Sequence, residues 1–149
     1  MRVVHSLGAD SVVDYKSGGS IVEAVLAAVP KGIDVYFDNV GGDHLDAALA
    51  AARPHARFAN CGMIDVYNSA APTSLRYLAR IIGMRISVRG FIVSDYFTRM
   101  AEFHRDMGAM LASGALQRHD TVLDGLEAMP DAFLGVFTGK NMGKMLVKL

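Results

Sequence analysis

From residue 10 to residue 113, short apolar runs alternate with amphipathic segments of helix length, and that alternation leaves few folds open. The runs "DSVVDY", "IDVYFDNV", "ARFANCG" and "MRISVRGFIV" predict strands at roughly 10–15, 33–39, 56–61 and 85–92. Ser20 precedes Glu23 by three positions, a capping-box spacing that opens a helix closing at "PKG". In "DHLDAALAAAR" (43–53), Leu45, Ala48, Leu49 and Ala52 share one helix face before Pro54. A polar loop, "MIDVYNSAAP", leads to a helix through "SLRYLARIIG". Over 95–113, Phe97, Met100, Phe103, Met107 and Met110 recur at helical spacing and predict a core-facing stripe. Strands that alternate with helices of this length imply crossover units, and hence a parallel sheet covered on both faces. The expected class is α/β.

The two ends read differently. "MRVVHSLGAD" resembles the tail of an amphipathic helix stopped by Gly8, so the chain is expected to begin inside a larger structure. Beyond Gly114 the alternation lapses into "QRHDTVL", a Pro130-led helix and the strand-like "KMLVKL", placing an expected boundary near Gly114.

Composition narrows the function classes. With 149 residues and 52% hydrophobic content, the chain can bury one real core. Its formal net charge of zero offers no electrostatic footprint for nucleic acid or an acidic membrane surface. No apolar run approaches the roughly 18 residues of a membrane span. The single cysteine, Cys61, rules out an intrachain disulfide and makes a cytoplasmic setting the expectation. His5, His44, His55, His104 and His119 are scattered without ligand spacing, so no zinc site is expected. "GKNMGK" lacks the spacing of a phosphate loop.

The run "IDVYFDNVGG" poses the sharpest question, because an apolar strand stops on Asn39 and is followed by two glycines. In open parallel sheets, ligands bind at the carboxyl ends of strands, and Gly41-Gly42 would let the backbone approach one closely. A tight strand-to-helix turn without a ligand explains the same residues.

Taken in order, "DYK", "FDNVGG", "CGMIDVYN", "GFIV" and "GKNMGK" resemble the zinc-independent medium-chain dehydrogenase/reductases, specifically the prostaglandin reductase and alkenal double-bond reductase group. The resemblance runs from about residue 2 to the carboxyl terminus. It implies NADP(H)-dependent reduction of the C=C bond of small α,β-unsaturated aldehydes or ketones, on a partial Rossmann-like, doubly wound sheet. It further implies that 1–114 form the second half of an NADP-binding domain. Residues 115–149 would return to a GroES-like substrate domain not contained in this sequence. Tyr15 would lie beside the adenosine phosphate end of NADP, and Asn39 would touch the cofactor. The loop Cys61, Gly62, Met63 to Tyr67 would run along it. Phe91, Ile92 and Val93 would flank the nicotinamide, and Asn141 would hydrogen-bond it. Tyr67 would also donate to the enolate that develops during conjugate reduction. A homodimer is a further expectation.

The departures carry weight too. None of the 15 glycines forms G-x-G-x-x-G, and the family's cation for the 2′-phosphate would fall before Met1. Weak or absent NADPH binding by this chain alone is therefore expected. A catalytically silent α/β module that associates with another chain stays open as the alternative, and a methyltransferase-like binder is a weaker one. Singly, Tyr15 could be a strand-end aromatic and Tyr67 a surface tyrosine. Cys61 reads as a buried small hydrophobe, and Arg76, Arg80, Arg85 and Arg89 as solvated charges.

Overall fold

The computed structural model describes residues 2–67 and 73–149, so the last part of the predicted polar loop, residues 68–72, lies outside the described residues. Two compact units are present, Met1–Thr98 and Arg99–Leu149.

The first unit holds a three-stranded parallel sheet in the order β1-β2-β3, with β1 Ile33–Asp38, β2 Ala52–Asn60 and β3 Ser87–Gly90. Helix α1, Arg2–Ser6, precedes it, and Gly8 follows with φ 94°. Helix α2, Ile21–Ala28, starts where the capping spacing places it: the Ser20 side chain accepts the Glu23 N–H at 3.3 Å. Helix α3, Gly42–Ala51, lies between β1 and β2, and the short α4, Arg80–Gly83, precedes β3. Between Ile33 and Val35, β2 advances from Ala52 to Arg57. The extra residues bulge around Pro54, which has no N–H to give the ladder, and His55, whose φ is 66°.

Leu45, Ala48, Leu49 and Ala52 are all buried and join Ala56, Phe58 and Ile86 in one core. Asp46, with no exposed surface, accepts from the Tyr77 N–H and from Arg76 Nε, fastening the segment before α4 to α3. Arg80 is no solvated charge; it donates to the carbonyls of Leu49 and Ala52, at the carboxyl end of α3.

Three expectations are corrected. Residues 10–15 form no strand, because no neighbouring strand among the described residues gives their backbone a ladder. Among the described residues of the first unit the cover expected on both sheet faces is found on one, with Val35 and Phe37 59% and 58% exposed on the other. The stripe predicted as one core helix is a 3₁₀ segment, Val93–Arg99, followed by α5, Met100–Ala112, and α5 has no buried residue. An amphipathic period identifies a face without supplying its partner.

In the second unit, α5 is followed by β4, Asp120–Asp124, then α6, Met129–Thr138, with Pro130 in its first turn, and β5, Lys144–Lys148. β4 and β5 pair in parallel from Asp120↔Lys144 to Asp124↔Lys148.

The β1–β2 ladder closes on a knot. Asp38, fully buried, accepts on Oδ1 from the Tyr36 hydroxyl (3.0 Å) and the N–H groups of Val40 and Gly41 (both 2.9 Å). Its Oδ2 accepts from Asn60 Nδ2 at 3.1 Å. Burial of the Tyr36 phenol, reinforced by the neighbouring Asp38 charge and their hydrogen bond, pushes its pKa above the ordinary 10.0.

Two outcomes follow from this packing. Phe58→Ala should cost about 3–5 kcal/mol in chemical denaturation. Phe103→Ala, at a side chain 51% exposed, should stay within about 0.5 kcal/mol, whereas a core stripe would make the two alike. Because the unfolded Tyr36 phenol ionises before the folded one, its contribution is complete below about pH 10 and declines as pH rises beyond that. Thermal midpoints measured across this range should fall less steeply in Tyr36→Phe than in the parent; equal slopes would contradict the assignment.

Candidate functional site

The carboxyl ends of β1, β2 and β3 lie side by side, at Asp38, Asn60 and Gly90. The segments that leave them carry eight of the predicted contacts. Asn39 is exposed immediately after β1, while Asp38 beneath it fixes the turn. The Asp38 carbonyl also accepts the N–H groups of Cys61 (2.8 Å) and Gly62 (3.1 Å), which ties the chain leaving β2 to the end of β1. Ile64 N–H donates to the Asn39 carbonyl and Asp65 N–H to that of Val40, so the 61–67 loop runs along the 39–41 turn. Cys61 is half-buried rather than a core residue.

Tyr67 caps the short 3₁₀ turn Ile64–Val66 and is 67% exposed. Its hydroxyl accepts the Met63 N–H at 3.4 Å and lies so near Gly62 that a Cβ there would stand 3.2 Å from it. Phe91 is half-buried; its N–H donates to the Asn60 carbonyl, and its ring meets Phe37 and Tyr96 edge-on, each at 5.9 Å. Ile92 and Val93 follow it, 62% and 64% exposed.

The paired glycines now have a physical cause. A Cβ on Gly41 would stand 2.9 Å from the Met63 side chain, and one on Gly42 would collide with the Asp65 carboxylate. Both positions have positive φ, 73° and 50°. The pair therefore admits the neighbouring 61–67 loop, and the Val40 and Gly41 N–H groups point inward to Asp38.

Tyr15 lies at a second place in the same unit, 58% exposed, with its ring edge-on to His44 at 4.8 Å. The Lys16 ammonium is 5.8 Å from the Tyr15 ring centroid. A groove of about 420 Å³ here is lined by Tyr15, Ser20, Asp43, His44, Asp65 and Arg76. Asp65 links it to the 61–67 loop. Hydrogen bonding to Asp46, with that carboxylate's charge, raises the Arg76 pKa further above its ordinary value. Asn141 belongs to the second unit, where its side-chain amide donates to the Gly143 carbonyl at 2.6 Å.

Sequence reasoning passed over Asp38, Tyr36 and Asn60. The available signal was a carboxylate and an amide at the ends of otherwise apolar strands, positions where a buried polar group needs designated partners. Among the described residues, no group of three or more His, Cys, Asp or Glu is placed to hold a metal ion. No helix among them is long and apolar enough to cross a membrane.

A family model described as zinc-binding dehydrogenase matches residues 1–112. The chain is 40% identical over 143 residues to the putative NADP-dependent oxidoreductase YfmJ of Bacillus subtilis, covering 94% of this chain and 42% of that protein. It is 36% identical over 140 residues to the NADP(+)-dependent 2-alkenal reductase of Nicotiana tabacum, covering 94% and 41%. The crystal structure of CurA from Vibrio vulnificus in complex with NADPH superimposes with a TM-score of 0.84 at 37% identity, over 98% of this chain and 45% of that one. The chain thus spans less than half the length of the curated relatives it matches. With its parallel α/β sheet and this match over residues 1–112, the chain belongs to the zinc-binding dehydrogenase family, within the medium-chain dehydrogenase/reductases.

Proposed function

We propose that this chain forms one wall of the cofactor site of an NADP(H)-dependent oxidoreductase that reduces the C=C bond of small α,β-unsaturated aldehydes or ketones. The observation that carries the reading is the gathering of Asn39, Cys61, Gly62, Met63, Tyr67 and Phe91 along one carboxyl edge of a parallel sheet, where open α/β sheets bind ligands. The likeness to CurA solved in complex with NADPH supports the choice of cofactor, and the relative named for 2-alkenals supports the substrate class.

The residues present fit part of such a cofactor. Exposed Ile92 and Val93, beside Phe91, offer an apolar wall for a nicotinamide ring, and the exposed Asn39 amide can bond a ribose or carboxamide. Tyr15, beside His44 and Lys16, suits the adenosine end; for Asn141 the support is the family resemblance alone. The pyrophosphate is not served by the 39–41 turn, whose N–H groups at Val40 and Gly41 are committed to Asp38.

Bound NADPH would supply the hydride for the β-carbon of a conjugated carbonyl. Tyr67 then has the polar role on this chain. Accepting the Met63 N–H uses an oxygen lone pair and leaves the phenolic proton for the enolate oxygen, where negative charge grows. The Met63 contact also orients the hydroxyl toward its own loop.

The family match ends at residue 112, which supports a functional boundary near Gly114, with 1–114 as the cofactor part and 115–149 as a segment returning to a substrate domain. A single cysteine supports a cytoplasmic setting. The exposed edge strand β3 supports pairing with a second copy. One observation favours a second reading, association with another polypeptide without catalysis: the uncovered face carrying Val35 and Phe37.

Calorimetric titration of NADPH into the chain should show binding several powers of ten weaker than in complete reductases, since each missing charge-assisted contact to phosphate is worth about 1.5–3 kcal/mol. Micromolar affinity would contradict this. Adding the amino-terminal half of a related reductase as a separate polypeptide should restore both binding and enone reduction; restored association without turnover would favour the second reading. In that complemented enzyme Tyr67→Phe should lower turnover by about 100-fold, as loss of an oxyanion donor does. An unchanged rate would remove Tyr67 from the chemistry.

A further inference from the structure

The covered face of the sheet does not close fully against the segment that leads into α4. A cavity of about 240 Å³ remains there, lined mainly by Leu45, Leu49, Leu78, Ile81 and Val88, with Asn60 as its polar residue. It opens toward Leu78 and Val88, 52% and 45% exposed.

Asn60 is out of keeping with such walls. It continues the alternation of buried positions that Ala56 and Phe58 begin in the second half of β2, and only 9% of it is exposed. Its Nδ2 donates to Asp38, while its Oδ1 is buried with no hydrogen-bond partner among the described residues. Rotating the amide would set Oδ1 against the Asp38 carboxylate, so the orientation is dictated. Strand register then gives the direction of the orphan acceptor. Asn60 lies between Asp38 of β1 and Gly90 of β3. A planar amide whose nitrogen faces β1 turns its oxygen toward β3, the side on which Val88 lines the cavity.

We propose that this cavity is a binding site for a small neutral molecule with an apolar body and one O–H or N–H donor, a ring alcohol being the simplest example. The donor would satisfy Asn60 Oδ1 and the body would fill the leucine-rich space. An apolar cavity of about 150 Å³ suffices for benzene, and a buried water wants about two to four polar partners where this site offers one acceptor. The cavity shares Met63 with the proposed cofactor edge, but binding there does not require the reduction.

The test uses phenol and toluene as probes, titrated into the 149-residue chain and into Asn60→Val. Binding is followed through the methyl resonances of Leu45, Leu49 and Val88. Phenol affinity should fall about tenfold in Asn60→Val, as expected for loss of one hydrogen bond, and toluene affinity should not fall. Leu78→Trp, at a half-exposed position, should block both probes while circular dichroism stays unchanged. Failure of either probe to bind the parent chain would overturn the proposal. So would an equal loss for both in Asn60→Val, or undiminished binding in Leu78→Trp.

Discussion

A carboxylate with no exposed surface is a costly thing to bury, and Asp38 is tolerable only because four donors converge on it. Those donors come from its own strand, from the turn that follows and from the end of the neighbouring strand. Satisfying Asp38 therefore fixes three pieces of backbone at once. Its main-chain oxygen extends the arrangement by accepting from Cys61 and Gly62. Take the carboxylate away and the Val40 and Gly41 N–H groups, the Asn60 amide and the Tyr36 hydroxyl all lose their common acceptor.

The candidate site depends on that arrangement. The 61–67 loop can lie along the 39–41 turn because Gly41 and Gly42 leave room for Met63 and Asp65, and because Asp38 holds the turn rigid from below. The result is an edge where the N–H groups of Val40, Gly41, Cys61 and Gly62 are bonded internally and the side chains of Asn39, Tyr67, Ile92 and Val93 are exposed. Such an edge can position a flat ring and a carbonyl. It is poorly suited to hold a pyrophosphate, which in this family falls to a glycine-rich turn that the sequence does not contain.

Much of this was legible in the residues. The Ser20 cap, the buried face of α3, the Pro130 helix and the strand-like carboxyl terminus follow from local patterns, and the structure places them where those patterns do. The failures share a cause: they concern what packs against a segment. Residues 10–15 have strand composition without a ladder partner among the described residues, and the Met and Phe stripe has a period without a covering face. Arg80 looked solvated because its carbonyl acceptors lie some thirty positions away. The double glycine leaves a ligand approach and a tight turn equally open in the sequence, and only the fold shows that a Cβ at either position meets the chain's own loop.

Amide chemical-shift mapping with NADPH at high concentration tests the central claim most directly, because it registers binding too weak for calorimetry. The account predicts shifts clustered at Asn39, Cys61 to Met63, Tyr67 and Phe91 to Val93, with the amides of Val40 and Gly41 moving little because they remain bonded to Asp38. Shifts scattered over the surface, or confined to segments away from the sheet's carboxyl edge, would contradict it.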